Sequence, residues 1–291
     1  MSLINIKLFD CLEIGDSHPI VIMGVINLSP ESFYKGSVLM DLNDLSSIIE
    51  NMIQNGAKII DIGARSTAPW SAKISIDEEL NRIISVIKIV CKLIPQEIII
   101  SVDTQYRKIA QKCYEITQEH NKYMIINDVS NLKTDATLKD LIIEKEIPII
   151  LMASKDIPGD LLSIEEITEI LRESIKSLED GGFTSDKIII DPGIGAWIKE
   201  KTFQYDIGII NDLYKLKSLK KPILIAISRK SFIGNALDIP DPKDRYFGSL
   251  SSTAIAVYNG ANIVRTHDVD KDFCNFIRMA KIIRDHRKNW I

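Results

Sequence analysis

The chain has 291 residues, of which 45% are hydrophobic and 26% are charged, and its formal net charge is -4 at pH 7. Such a chain buries enough apolar surface to fold without disulfides or a structural metal. A pI near 5.7, with both signs of charge spread along the chain, argues against a nucleic-acid partner. A small molecule is the expected partner.

Cysteine spacing and the N-terminal sequence bear on metals and on location. The four cysteines lie far apart with no C-x-x-C pair, and they are Cys11, Cys91, Cys113 and Cys274. This spacing argues against a zinc site. Asp10, Glu13 and Asp16 interrupt the place where a signal peptide would be apolar, and no other stretch is long and apolar enough to cross a membrane. We therefore expect a cytoplasmic protein with free thiols and no membrane partner.

The first predicted element is a short β ribbon, because residues 4–16 (INIKLFDCLEIGD) alternate apolar and polar side chains. After it, short runs rich in Ile and Val recur eight times, each too short to be a buried helix. These runs end at or near Asn27, Asp61, Asp103, Asp128, Met152, Asp191, Lys230 and His267. Each run predicts a strand.

Segments with apolar residues three or four positions apart separate the predicted strands, and they include residues 42–56, 76–94 and 163–182. The first ends at Asn55-Gly56 and the last at Gly181-Gly182, which are helix-stopping pairs. About eight strand-helix units in roughly 250 residues, with strands apolar on both faces, indicate a (β/α)8 TIM barrel preceded by the short ribbon. A doubly wound open sheet is the competing fold. No linker divides the chain, so we expect a single domain over residues 1–291.

In a barrel of this kind the active site lies at the C-terminal ends of the strands. The polar residues predicted there are Asn27, Asp61, Asp103, Asn127, Asp191, Lys230, Arg265 and His267. Any one of them alone is explained as a helix cap or a turn residue. Together, the carboxylates, carboxamide and lysine suit an aminopyrimidinone ring, as in a pterin or guanine.

Arg265 and His267 are two residues apart on one predicted strand, so their side chains point to the same side. They are expected to form a cationic clamp for a phosphate or diphosphate, which Asn27 could join through a metal ion or water. The residues therefore indicate a substrate with a polar bicyclic ring at one end and a phosphate group at the other.

The strand ends carry sequences that resemble the dihydropteroate synthase family. Seven strings occur in that family's order: MGVINLSPESF (23–33), DIGARSTAP (61–69), SVDT (101–104), INDVS (126–130), DPGIG (191–195), SRKSFIG (228–234), and GSLSS with RTHDV (248–252 and 265–269). The resemblance implies a pterin-binding TIM-barrel transferase of folate biosynthesis. It would condense 6-hydroxymethyl-7,8-dihydropterin diphosphate with 4-aminobenzoate or a related arylamine, and release pyrophosphate with the help of Mg2+.

The resemblance also implies roles for individual residues. The pterin-binding set is Asp103, Asn127, Met152, Asp191 and Lys230. The set for the diphosphate and arylamine is Asn27, Thr67, Arg65, Ser231, Arg265 and His267, with Asn27 also at the metal. The catalytic set is Asp103, Lys230, Arg265 and His267, in which Asp103 faces the cation that develops on the pterin. The family further implies a homodimer.

The chain departs from the family pattern mainly in its loops. Lys35 replaces an acidic residue, Ala68 replaces an arginine, and Arg65 stands where the family tends to have Glu. Residues 152–155 replace a His-containing run, and Ala196, followed by Trp197, replaces a phenylalanine. These changes predict retained pterin chemistry with a larger second-substrate pocket, open to 4-aminobenzoate or to a substituted arylamine of the archaeal type.

Two other functions compete with this prediction. One is a pterin-binding methyltransferase that moves a methyl group from a reduced pterin to a corrinoid protein. That reaction needs no diphosphate site, so Arg265, His267 and the SRKSFIG string argue against it. The other is a non-catalytic pterin-binding paralogue, which the intact strand-end residues disfavour.

Overall fold

Ten strands form two sheets in the computed structural model of this protein, which describes residues 3–28, 42–66, 71, 73–195 and 198–287. The strands are β1 Asn5–Phe9, β2 Leu12–Gly15, β3 Val21–Asn27, β4 Ala57–Gly63, β5 Ile99–Asp103, β6 Met124–Asp128, β7 Ile149–Met152, β8 Ile188–Asp191, β9 Leu224–Ala226 and β10 Ile263–Thr266. All eight runs predicted as barrel strands are strands in the structure.

Helices follow the strands along the chain. Within the described ranges they are α1 Leu42–Gln54, α2 Ile76–Leu93, α3 Arg107–Glu119, α4 Thr137–Lys145, α5 Ile164–Asp180, α6 Phe203–Asn211, α7 Ser231–Leu237, α8 Tyr246–Tyr258 and α9 Lys271–Arg287. Ser163 precedes α5 and forms a capping box, in which its hydroxyl accepts from the Glu166 N–H and the Glu166 carboxylate accepts from the Ser163 N–H. No helix in this part of the chain combines the length and apolar character needed to cross a membrane.

The eight-stranded sheet is parallel and closes into a barrel. Its order is β8-β7-β6-β5-β4-β3-β10-β9. The two ends of this order meet through a parallel bridge between Ile190 and Ile223, with a hydrogen bond from the Ile190 N–H to the Pro222 carbonyl at 3.0 Å. Because the sheet edges meet, the barrel prediction is confirmed and the open doubly wound sheet is excluded.

The antiparallel ribbon β1–β2 covers one end of the barrel. Its inward side chains, among them Leu8 and Ile14, pack in one buried cluster with Val21, Ile99 and Ile263, which are the first residues of three barrel strands. A second and larger apolar cluster fills the space between the strands and the surrounding helices. Since the ribbon fills the N-terminal end with apolar side chains, the polar strand-end residues are left at the opposite end, called the mouth below.

Candidate active site

Most of the predicted site residues lie together at the mouth. Asn27, Asp103 and Asp191 are the last residues of their strands, and Asp103 pairs in register with Asn127 on the neighbouring strand. His267 directly follows β10. Parallel strands bring all their carboxyl ends to one edge, which is why residues far apart in sequence meet here.

Arg265 binds two carboxylates at the mouth. Its Nε donates to Asp61 Oδ2 at 2.7 Å, and its Nη2 lies 2.6 Å from the same oxygen and 2.9 Å from Asp103 Oδ2. Asp61 is fully buried, and Asn127 Nδ2 lies 3.4 Å from its Oδ2. The carboxylates raise the pKa of Arg265 above its ordinary value, although its burial opposes them. The guanidinium is therefore fixed in the floor of the site.

The family resemblance implies no individual role for Asp61. Its position among the strand-end polar residues was the signal that marked it. The contact between Asp61 and Arg265 could not be predicted from sequence, because the two residues are 204 positions apart.

Asp103 has an unusual ionisation. Burial is the main cause that raises its pKa to about 7, with smaller contributions from the charges of Asp61 and Glu79, while Arg265 lowers it. The carboxyl therefore takes up a proton at a higher pH than an ordinary aspartate does. A ligand that donates hydrogen bonds to it, or that develops positive charge beside it, favours the ionised form.

Asp191 and Lys230 lie on either side of the loop that follows β8. The Gly193 N–H donates to Asp191 Oδ1 at 2.8 Å, and Lys230 Nζ donates to the Ile194 carbonyl. Burial lowers the pKa of Lys230 to about 8, although the charge of Asp191 opposes this shift. Burial raises the pKa of Asp191, although Lys230 opposes that shift in turn. Each group keeps its charge partly because of the other.

Met152 ends β7 beside this loop and is only 5% exposed. Gly193 has a φ of 73°, and a Cβ on it would lie 2.9 Å from the Ala153 carbonyl oxygen and 3.5 Å from Met152 Cγ. Glycine is thus required here by both backbone conformation and space. The close approach holds Met152 against the loop that carries Asp191.

His267 lies between Asn27 and Ser228. Its Nε2 is 3.2 Å from Asn27 Nδ2, and its Nδ1 is 3.1 Å from Ser228 Oγ. Burial, followed by the charges of Arg265 and Arg229, lowers its pKa to about 3. This low pKa favours neutral His267 in the site without ligand, where Arg265 carries the charge of the pair, whereas a bound diphosphate would favour the charged form of His267.

Asp268 pairs with Arg229 and does not cap α9. It accepts from Arg229 Nη2 at 2.6 Å and from Arg229 Nε at 2.9 Å, while Asp270 Oδ1 accepts from the Phe273 N–H in the first turn of α9. Arg229 has a positive φ of 58°, which is costly for a residue with a side chain. The ion pair holds Arg229 in this conformation and joins the loop before Lys230 to the loop after β10.

Two further predicted site residues, Arg65 and Ser231, follow the C-terminal ends of β4 and β9. Arg65 Nε is 2.5 Å from Oε2 of the buried Glu79, and its guanidinium stacks over the Tyr106 ring with a separation of 5.2 Å. Arg65 is thus already paired. Ser231 begins α7 and is half-buried. Thr67 lies outside the described residues, as do the loop departures Lys35, Ala68, Ala196 and Trp197.

A buried ion pair behind the mouth was also missed by the sequence analysis. Lys201 Nζ lies 3.3 Å from Asp206 Oδ1, and both side chains are 0% exposed. A lysine five residues before an aspartate is indistinguishable in sequence from a solvated pair.

Comparison with known proteins agrees with this geometry. Residues 23–267 match the family described as pterin binding enzyme. The dihydropteroate synthase of Bacillus subtilis is 35% identical over 269 residues, 90% of this chain and 87% of that protein. The dihydropteroate synthase of Clostridium beijerinckii is 34% identical over 249 residues, 85% of this chain and 88% of that protein. A solved dihydropteroate synthase of Coxiella burnetii, in complex with pteroic acid, has a TM-score of 0.82 at 33% identity and covers 97% of this chain and 99% of its own.

Proposed function

Because this chain belongs to the dihydropteroate synthase family of pterin-binding enzymes, we propose that it condenses 6-hydroxymethyl-7,8-dihydropterin diphosphate with an arylamine and releases pyrophosphate. The observation that carries the proposal is the mouth itself, where half-buried Asp103 and buried Asp191 share one site with Lys230 and Arg265. The relative from Coxiella burnetii binds pteroic acid, which is a pterin joined to 4-aminobenzoate. No relative reported above is a methyltransferase.

On the pterin side, Asp103, Asn127 and Asp191 offer acceptors for ring N–H and amino groups, and Lys230 offers a donor for a ring carbonyl or nitrogen. Met152 supplies an apolar wall. The raised pKa values of Asp103 and Asp191 suit this role, because hydrogen bonds from a bound ring favour the ionised carboxylates. The ring is thereby oriented before reaction.

On the diphosphate side, Arg265 supplies the positive charge. Its bonds to Asp61 and Asp103 use Nε and Nη2, which leaves Nη1 as the nitrogen for a diphosphate oxygen. His267 contacts the Asn27 carboxamide and orients it. Among the described residues, no three His, Cys, Asp or Glu side chains form a group that could hold a metal ion.

This donor set fits Mg2+ that is held mainly by substrate. Mg2+ prefers oxygen ligands, retains several waters, and is commonly bound by one or two protein oxygens together with phosphate groups. The Asn27 carboxamide oxygen is a ligand of that kind, at the diphosphate side of the site. When bound there, Mg2+ would neutralise negative charge on the leaving diphosphate.

In the reaction, the bond between the pterin methylene carbon and the diphosphate oxygen breaks, and its electron pair leaves with pyrophosphate. Ionised Asp103 stabilises the positive charge that develops on the pterin, while Arg265 stabilises the negative charge on the leaving group. The amine nitrogen then forms the new C–N bond with its lone pair and releases a proton to water. No covalent bond to the enzyme is needed, because the arylamine needs position more than activation.

The arylamine side is where this chain departs most from its family. Ser231 and Thr67 are the proposed contacts there, with Arg65 at the edge. The second substrate is 4-aminobenzoate or a substituted arylamine, since the sequence has the smaller alanine at position 196 where the family usually has a phenylalanine.

The proposal includes a homodimer in the cytoplasm. Large apolar side chains are exposed on α8 and α9, and these are Phe247, Ile255, Phe276, Met279, Ile282 and Ile283. Their exposure, which ranges from 49% to 77%, supports an interface with a second copy of the chain. All four cysteines are unpaired thiols, which supports a reducing compartment.

Product formation is the test of this function. The protein is incubated with the dihydropterin diphosphate, Mg2+ and each amine in turn, and the condensed product is sought by mass together with released pyrophosphate. A reaction without amine is the control. We expect product with at least one arylamine, whereas pterin binding without product from every arylamine would overturn the proposal.

A further inference from the structure

The buried ion pair of Lys201 and Asp206 lies directly behind the loop that follows β8. Lys201 precedes α6, and Asp206 lies in its first turn. Burial lowers the pKa of Lys201 although the charge of Asp206 opposes this shift. A fully buried pair is expensive to desolvate and contributes little net stability compared with well-packed apolar residues of the same size. Its presence therefore calls for a role other than stability.

Both members of the pair bind the backbone of the loop. Lys201 Nζ donates to the Gly193 carbonyl at 3.2 Å, and Asp206 Oδ1 accepts from the Gly195 N–H at 2.9 Å. These two backbone groups flank Ile194. The pair, which lies at the start of α6, therefore binds the loop backbone both before and after Ile194.

The other contacts of the loop reach the mouth. The Ile194 carbonyl accepts from Lys230 Nζ, and the Gly193 N–H donates to Asp191 Oδ1 at 2.8 Å. Gly193 and Gly195 both have positive φ values, of 73° and 126°. Because glycines restrict the backbone least, the loop depends on outside contacts for its shape.

We propose that Lys201 and Asp206 are positioning residues for the pterin pocket. By fixing the backbone on both sides of Ile194, the pair sets where Lys230 and Asp191 meet the ring. Neither residue touches the substrate. This inference rests on the proposed function and assigns the pair to the pterin half of the site, not to the arylamine half.

The experiment compares this pair with a second lysine pair at the other end of the barrel, in which the lysine is buried and the glutamate is exposed. Lys221, which is 5% exposed and precedes β9, lies 3.1 Å from Glu179. The variants are Lys201→Met with Asp206→Leu, singly and together, and Lys221→Met with Glu179→Leu as matched controls. For each, the KM of both substrates, kcat, the thermal midpoint and the Kd for 6-hydroxymethylpterin, measured by its fluorescence, are determined.

Single variants of the Lys201–Asp206 pair are expected to lower the thermal midpoint, because each leaves one buried charge unpaired. The double Lys201→Met/Asp206→Leu variant is expected to recover much of that loss but to keep a pterin-diphosphate KM and a pterin Kd raised about tenfold, the size of one lost hydrogen bond to a charged group. The arylamine KM should change far less. The control double variant should leave every KM unchanged.

Recovery of both the thermal midpoint and pterin affinity in the double variant would overturn the inference, because the pair would then be structural only. If the double variant does not fold, Asp206→Asn decides, since it keeps an oxygen for the Gly195 N–H but leaves Lys201 without its charge partner. An unchanged pterin Kd in Asp206→Asn would likewise overturn the inference. The Kd is measured without turnover. A wild-type protein that binds pterin but forms no product would therefore overturn the proposed function, while the pterin Kd of the variants would still test this inference.

Discussion

Arg265 on β10 donates from Nε to Asp61 Oδ2 on β4 at 2.7 Å, across the intervening strand β3. The same guanidinium reaches Asp103, the carboxylate proposed to face the pterin cation, at 2.9 Å. Asp61 thus competes with Asp103 for one arginine, and the two carboxylates also repel each other. The ionisation of Asp103 depends on this neighbour as well as on burial.

Replacing Asp61 by asparagine is therefore expected to lower the pKa of Asp103. The variant removes a negative charge that raises this pKa and leaves Arg265 to Asp103 alone. The acid limb of kcat/KM should move to lower pH, which a pH profile measures. Asp10→Asn, at a carboxylate that is 90% exposed, is the control and should leave the limb in place. An acid limb that stays or rises in Asp61→Asn would contradict this prediction.

The wild-type pH profile should be narrow. Asp103, with a pKa raised to about 7, is ionised only above that pH, and Lys230, with a pKa lowered to about 8, is charged only below that pH. If both charges are needed, kcat/KM rises as pH increases through about 7 and falls above about 8. Lys230→Arg should lose the basic limb, because a guanidinium stays charged. Persistence of that limb in the variant would assign it to another group.

Asp103→Asn tests the role of the carboxylate in stabilising the pterin cation. The amide keeps the shape and one acceptor but loses the charge, so kcat should fall about 100-fold to 1,000-fold, the typical effect of removing one electrostatic contact to a transition state. Pterin binding, measured by fluorescence, should weaken much less than kcat. Equal losses in kcat and in binding would show that Asp103 only binds the ring.

The pair of Arg229 and Asp268 is predicted to stabilise the fold. Their side chains are 9% and 11% exposed, so Asp268→Asn removes the charge of the buried carboxylate that binds Arg229 and should lower the free energy of unfolding by about 3 kcal/mol. Glu169→Gln, in the exposed pair with Arg172, should cost less than about 1 kcal/mol. Urea denaturation measures both. If the two variants lose similar free energies of unfolding, the buried pair stabilises the fold no more than the exposed pair does.

A charged residue on α9 should break the proposed dimer. Met279, which is 55% exposed beside Phe276 and Ile283, is replaced by glutamate, and the mass in solution is measured by light scattering. The expected result is a monomer, because an unpaired charge in an apolar interface is costly. Ile157→Glu, at a residue that is 47% exposed in a loop, should leave the dimer intact. A wild-type monomer, or a dimeric Met279→Glu, would exclude this interface.

Much of the mouth could be predicted from local pattern. Asn27, Asp103 and Asp191 each end an apolar run. In a parallel barrel, the C-terminal ends of all strands lie at the same face. The contacts of Arg65, in contrast, could not be predicted from local pattern. The sequence shows that Arg65 replaces the family's Glu. It does not show the partner of Arg65, because periodicity describes the helix that carries Glu79 only as an amphipathic segment.

The sequence by itself determined the barrel, the ribbon and the set of polar residues at the mouth, because strand periodicity and strand-end position are local properties of the chain. Only the tertiary structure decided how those residues pair and ionise. Arg265 binds Asp61 and Asp103, and His267 is neutral at a pKa of about 3. These properties depend on burial and on distances of a few ångströms between residues far apart in sequence, and Coulomb energies and desolvation change steeply over such distances.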